Sequence, residues 1–132
     1  MIKSCNFEGR ELAVVFVETM KVVEGVECDV YKFDGDVSKD LGIIRIKAEC
    51  KTPLQKVLKG ERTAEGFISG RGRLVITKTD GEQKIYNGEE GLSVNVGIGE
   101  LMQWQAEVDS ELEVYEVCFP PYEDGRFENV GN

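Results

Sequence analysis

Two glutamates four positions apart, Glu61 and Glu65, are the residues in this chain best suited to moving a proton. A carboxylate pair does general acid–base work when burial lifts the pKa of one member and a second group shares the proton path. Against that, glutamates at this spacing on a strand commonly face water. Tyr31, Tyr86, Tyr115 and Tyr122 could act as acids beside them, and each also reads as a half-buried aromatic with its hydroxyl at the surface. The four cysteines, Cys5, Cys28, Cys50 and Cys118, are widely separated with no C-x-x-C. They read as small buried hydrophobes, since a reactive thiol needs an electropositive setting that lowers its pKa. There is no histidine, which removes the commonest general base and the commonest metal ligand together.

Charge narrows the partners. The formal net charge of −9 argues against nucleic acid and against anionic membrane surfaces, both of which require basic footprints. The signs are unevenly distributed: Arg45 to Lys78 carries nine Lys/Arg against three acids, and Glu100 to Glu128 carries nine acids against one Arg. Either the two signs meet across strands, or some of Arg45, Lys56, Arg62, Arg71 and Arg73 hold a small anion. No apolar run reaches the ~20 residues of a membrane span, and Met-Ile-Lys-Ser-Cys lacks the apolar core of a signal peptide. The expected location is cytoplasmic.

The elements that would position these groups are strands. At 132 residues the chain is sized for one domain with its own core. Residues 10–24 mix strand and helix signals, and the run Val14-Val15-Phe16-Val17 decides for strand. Val26 to Phe33 alternates, and Asp34-Gly35-Asp36 turns. Leu41 to Cys50 is expected to carry Ile44, Ile46, Ala48 and Cys50 on one face. Short strands follow at Leu54–Leu58, Glu65–Gly70, Gly72–Thr79 and Lys84–Tyr86, with Asp80-Gly81 as a hairpin turn. Gly88 to Ala106 reads as a turn, a strand, a tight turn at Gly97-Ile98-Gly99 and a second strand, a pair on which the rest packs. Leu112–Phe119 ends at Pro120-Pro121, and the polar remainder trails along the surface, where it could clasp the sheet or a neighbouring subunit. Roughly ten short strands without a long helix point to an all-β sandwich or jelly-roll barrel.

The glycine spacing resembles that of the cupin superfamily. Its second motif, G-x5-P-x-G-x2-H-x3-N, is matched in spacing by Gly91, Gly97, Gly99, Met102 and Ala106, with Met102 at the histidine position. Its first motif, G-x5-H-x-H-x3/4-E-x6-G, falls on Gln55, Val57 and Glu61, with Gly70 two residues late; Glu65 to Gly72 fits the last interval instead. The resemblance covers about residues 41–122 and implies a double-stranded β-helix, a single cupin-like domain over 1–132 with the strands of 10–33 added to the sheet. Metal-bearing cupins use three histidines and a glutamate. Gln55, Val57 and Met102 offer an amide, a hydrocarbon and a thioether, which suit no transition metal, so no cofactor is expected.

With no metal, the barrel interior is either a core or a pocket. Met102 and Trp104 lie on one side of their strand; facing inward, they would fill the core or line the mouth beside Gln55. The leading expectation is a metal-free protein that binds a small polar, carboxylated or sugar-like molecule in the barrel mouth. Gln55, Glu61, Met102 and Trp104 would line the site, and Arg71 or Arg73 would meet a charge. The alternatives are a metal-independent carbohydrate isomerase or epimerase based on Glu61 or Glu65, and a purely structural dimerisation module. A homodimer is the expected assembly, because an edge strand rich in Val and Ile needs cover.

Overall fold

The computed structural model describes residues 1–131 and contains strands, turns and coil, with no helix among the described residues. The twelve strands form two antiparallel sheets. The seven-stranded sheet contains β1 (Ser4–Phe7), β2 (Arg10–Val23), β3 (Val26–Phe33), β4 (Asp36–Ile46), β11 (Leu112–Phe119), β6 (Arg62–Gly70) and β9 (Ser93–Val96), in that order. The five-stranded sheet runs β12 (Phe127–Gly131), β5 (Leu54–Val57), β10 (Leu101–Ala106), β7 (Gly72–Thr77) and β8 (Gln83–Asn87). The jelly-roll architecture anticipated from the strand spacing is the one observed.

Residues 10–24 are one long strand, with register shifts after Phe16 and after Lys21 that bend it. The alternation read through Cys50 stops earlier. β4 ends at Ile46, and Ala48 to Cys50 lie in a turn where Glu49 has φ +69°. The two strands of Gly88–Ala106 do not pair with each other: β9 hydrogen-bonds β6 and β10 hydrogen-bonds β5 and β7. The Gly97–Gly99 turn is thus a corner where the chain changes sheets. Gly99 supplies φ +87°, and Glu100 Oε1 accepts from the Gly97 amide at 2.7 Å.

The seven-stranded sheet is buried on both faces along its middle, where β4 carries Leu41, Ile43, Ile44 and Ile46 and β11 carries Val114, Val117 and Cys118. On its inner face Val26, Ile44, Ile46, Leu112 and Val114 pack against Leu74, Ile76, Met102 and Trp104 of the other sheet. On its outer face Tyr31, Leu41, Ile43, Ala64 and Val117 pack with Phe7 and Val14, carried over them by the β1–β2 hairpin. Trp104 is 2% exposed; burying an indole of this kind stabilises by roughly 4–6 kcal/mol.

The polar tail does more than trail. Residues 120–126 cross one end of the barrel, from β4, where the Tyr122 amide donates to Asp40 Oδ2 at 2.9 Å, to β5, where Leu58 N donates to Arg126 O at 2.8 Å. β12 then adds to the edge of β5, with Phe127 opposite Val57.

Candidate functional site

Strand parity selects the residues that reach the barrel interior. Along β6, Thr63, Glu65 and Phe67 point inward, and Ala64 packs in the outer cluster. Glu65 is only 1% exposed. Its Oε1 accepts from Trp104 Nε1 at 2.8 Å, a bond that ties the two sheets together. Its Oε2 is buried with no hydrogen-bond partner of normal geometry. Glu116 on β11 stands directly opposite Glu65. Burial first, and then the adjacent Glu116 carboxyl, hold the Glu65 pKa well above the ordinary carboxylate range.

Two thiols border this pair. Cys118 Sγ lies 3.6 Å from Glu116 Oε1. Cys28 Sγ sits over Gly42, which faces Glu116 in the β4–β11 register; a Cβ at Gly42 would come within 2.9 Å of that sulfur. Burial, followed by Glu116, pushes the Cys28 thiol up to about 12, and the same two causes raise Cys118 further. Both shifts disfavour the thiolate form that a nucleophile needs. Asp40, opposite Cys118 in the register, is likewise raised, chiefly by burial.

The end of the barrel above this cluster is stapled by Arg126, 1% exposed. Its guanidinium donates to Pro120 O at 2.8 Å, to Arg62 O at 2.7 Å, and to Phe119 O and Thr63 Oγ1 at 3.2 Å. Gly60 makes room for it, since a Cβ there would lie 2.5 Å from the guanidinium carbon.

The residues expected at the site divide into two groups. Gln55, Met102 and Trp104 share the inner face of the five-stranded sheet with Glu65 opposite: Gln55 pairs with Met102, and its Nε2 donates to Asn129 Oδ1 at 3.2 Å. Met102 and Trp104 are packed into the core at 3% and 2% exposure, so they do not rim an open mouth. Glu61, Arg71 and Arg73 lie elsewhere. Glu61 is exposed just before β6, and its backbone, not its carboxylate, is engaged, with N donating to Phe119 O. Arg71 is exposed in the one-residue turn between β6 and β7 and pairs with Asp109 at 2.8 Å and Glu107 at 3.7 Å. Arg73 extends from the face of β7 opposite Leu74, and its Nε donates to Gln105 Oε1 at 2.9 Å. The ambiguity between Glu61 and Glu65 thus resolves to Glu65 as the inward carboxyl.

Glu116, Cys28, Cys118 and Arg126 were missed as members of this cluster. Period-two alternation through Val114, Glu116 and Cys118 carried the signal for the first of these. Nothing in the polar stretch around Arg126 marks it as buried. Elsewhere the signs meet across strands: Arg45 pairs with Glu27 and Asp29, and Arg62 with Glu8. A groove of about 810 Å³ runs past Lys21, Glu27, Arg45 and Glu113 and touches the inner-cluster residues Val26, Ile46 and Leu112, and one of about 390 Å³ lies beside Arg73 and Gln105. Neither reaches Met102 or Trp104.

The metal implied by the cupin resemblance does not fit these side chains. Glu65 is committed to Trp104 and pressed by Glu116, burial raises the pKa of the Cys28 and Cys118 thiols beside them, and Gln55, Val57 and Met102 supply no imidazole or carboxylate. No group of three or more His, Cys, Asp or Glu is arranged to hold an ion among the described residues.

No protein-family profile matches the sequence, and no curated protein matches it significantly. Solved structures do match. Oxalate decarboxylase from Lactobacillus farciminis, in a formate complex, superposes with a TM-score of 0.72 at 15% identity over 86% of this chain and 33% of that one. A cupin-2 domain, Rru_A2000 from Rhodospirillum rubrum, gives 0.64 at 11% identity over 91% of this chain and 76% of its own. The polyketide cyclase RemF from Streptomyces resistomycificus gives 0.63 at 14% identity over 83% and 73%. This chain spans about a third of the oxalate decarboxylase chain. Likeness at such identities speaks to architecture, and together with the sheet order it establishes that this chain has the double-stranded β-helix fold of cupin domains.

Proposed function

We propose that this protein binds a small polar molecule inside the barrel, against the wall formed by Glu65, Trp104, Met102 and Gln55, with no metal ion as anchor. One observation carries the reading: two buried polar atoms, Glu65 Oε2 and Arg126 Nε, have no hydrogen-bond partner of normal geometry. Leaving such a group unmatched costs about 1–3 kcal/mol, and a core needed only for stability is better served by an apolar side chain of similar volume. A ligand hydroxyl hydrogen-bonded to Oε2 recovers that cost. Its route in is the end covered by residues 120–126, where Arg126 is held by carbonyl and hydroxyl oxygens that water can replace.

The test is a thermal-shift screen of sugars, sugar phosphates, organic acids and amines against the wild type and Glu65→Leu. A ligand of this site stabilises the wild type and binds at least about tenfold more weakly to the variant, the worth of one hydrogen bond to a charged or buried group. Finding no stabilising compound, or only compounds indifferent to Glu65, contradicts the reading.

The isomerase alternative retains Glu65 as the proton-holding group. Tyr31 and Tyr115 belong to the outer cluster, and Tyr86 packs against the inner one. A separate observation favours assembly: β2 leaves Val15, Val17, Met20 and Val22 at 39–55% exposure along one strand, an apolar stripe that a second copy would cover. Sedimentation equilibrium of the wild type and of Val17→Glu/Met20→Glu tests it. A dimer that the double variant dissociates supports the reading, and a wild-type monomer removes it.

A further inference from the structure

The outer face of the five-stranded sheet carries a side-chain relay that ends on a positive charge. β10 turns Met102 and Trp104 inward, so Gln103 and Gln105 project from the opposite face. Gln103 is 6% exposed, and its Nε2 donates to Thr52 O at 2.9 Å. Its amide is fixed in this way, and Gln103 Oε1 then accepts from Gln105 Nε2 at 2.9 Å. Gln105 Oε1 in turn accepts from Arg73 Nε, also at 2.9 Å. The relay thus runs from a backbone carbonyl to one edge of a guanidinium. It fixes the plane of that group through neutral partners and leaves its charge uncompensated. Arg45, Arg62 and Arg71 are each paired with carboxylates, whereas the terminal nitrogens of Arg73 have no protein partner among the described residues.

The strand register sets the surroundings. Asn87, Arg73, Gln105 and Lys51 occupy directly opposed positions on successive strands, a row with two cations and no acid. The groove of about 390 Å³ is lined by Arg73 together with Asn87, Gln105, Glu107 and Val108, and Val108 is 73% exposed. We propose that this groove, on the far side of the sheet from the barrel interior, binds a small aliphatic monocarboxylate. The free edge of the guanidinium presents two parallel N–H bonds, which match the two coplanar oxygens of a carboxylate. A neutral amide of the same shape offers one carbonyl oxygen in their place. Asn87 supplies a further N–H donor, and Val108 an aliphatic surface for the hydrocarbon. Glu107 limits the charge of the ligand. Its partner Arg71 stands 3.7 Å away, and it repels a dianion twice as strongly as a monoanion.

The experiment titrates butyrate, butyramide and inorganic phosphate into the full ¹⁵N-labelled chain at constant ionic strength, followed by ¹H–¹⁵N correlation spectra. Butyrate should move the Arg73 Nε–H resonance, assigned by its absence from Arg73→Gln, and the backbone amides of Ala106 and Val108. It should bind at least about tenfold tighter than butyramide or phosphate. Arg73→Gln and Arg73→Lys should each weaken butyrate at least about fivefold, the second because it keeps the charge and loses the fork. Gln105→Met tests the relay with the charge intact: the Arg73 Nε–H should exchange faster with water, and butyrate should bind more weakly. The fold of each variant is verified by the emission of Trp104, the single tryptophan, which lies on the other face of β10. Butyramide or phosphate binding as tightly as butyrate, butyrate binding indifferent to Arg73, or shifts that do not saturate overturn the proposal. Unchanged exchange and affinity in Gln105→Met overturn the relay. None of these results bears on the interior site, which the screen against Glu65→Leu decides by itself.

Discussion

Glu65 and Glu116 face each other across the β6–β11 ladder with the Trp104 indole N–H clamped to the first of them. Like charges in directly opposed cross-strand positions repel, and inside a barrel there is little water to screen them. Burial and Glu116 together raise the Glu65 pKa, which favours its neutral form beside Glu116. Much of what this protein should do under perturbation follows from that proton.

Stability should fall as pH rises. The folded-state pKa of Glu65 lies above the unfolded value of 4.5, so the native state binds more protons than the unfolded chain between the two values. The contribution is fully present below the unfolded pKa and is lost as pH rises through the folded one. Urea unfolding over a pH series should show a decline from the mildly acidic side upward, and Glu65→Gln should flatten it. A wild-type profile that climbs over that range would be inconsistent with a neutral Glu65.

Trp104→Phe keeps an aromatic ring and removes only the donor to Glu65 together with part of the ring volume. Both oxygens of a buried carboxyl are then unmatched, and a small void opens. The expected loss is about 2–4 kcal/mol by chemical denaturation. In the Glu65→Leu background the same substitution should cost less, because the orphaned acceptor is gone; equal losses in both backgrounds would deny the two residues any interaction.

Arg126→Met should release the strap across the barrel end. Its guanidinium satisfies three carbonyls and a hydroxyl, and their loss is worth on the order of 3 kcal/mol. Hydrogen exchange should rise first at Leu58 and Tyr122, whose amides donate to Arg126 O and Asp40 Oδ2. If exchange there stays unchanged, the arginine does not hold the strap.

Gly66 lies beneath Tyr115: an added Cβ would be 2.0 Å from the ring, and that ring packs edge-on against Phe7 at 6.2 Å. Gly66→Ala should therefore destabilise by about 1–3 kcal/mol through overpacking. Combined with Tyr115→Ala the cost should be strongly sub-additive, which a double-mutant cycle measures.

The strands were legible because alternation and turn chemistry are local. Ile44 and Ile46 against Leu41 and Ile43, the Asp80-Gly81 hairpin and the turn at Gly97–Gly99 all follow from residues a few positions apart, whereas the passage of that turn from one sheet to the other did not. The glycine spacing carried the fold further, and solved structures of the same architecture agree with it. The site was legible only in part. Met102 and Trp104 could be assigned to one face by parity, whereas choosing Glu65 over Glu61 needed the position where β6 begins. Arg71 and Arg73 were expected near the ligand on charge alone, and parity with Leu74 turns Arg73 outward. Arg126 was out of reach, because its burial depends on oxygens contributed by residues 62, 63, 119 and 120, which only the folded chain assembles.

The carboxyl of Glu65 can be observed directly by ¹³C NMR of glutamate-labelled protein, assigned with Glu65→Gln. Its carboxyl carbon should keep the chemical shift of a protonated acid well above the ordinary glutamate pKa of about 4.3, moving only at markedly higher pH. A Glu65 resonance that titrates at the ordinary value, as exposed glutamates do, would contradict the buried neutral acid on which the interior site is built.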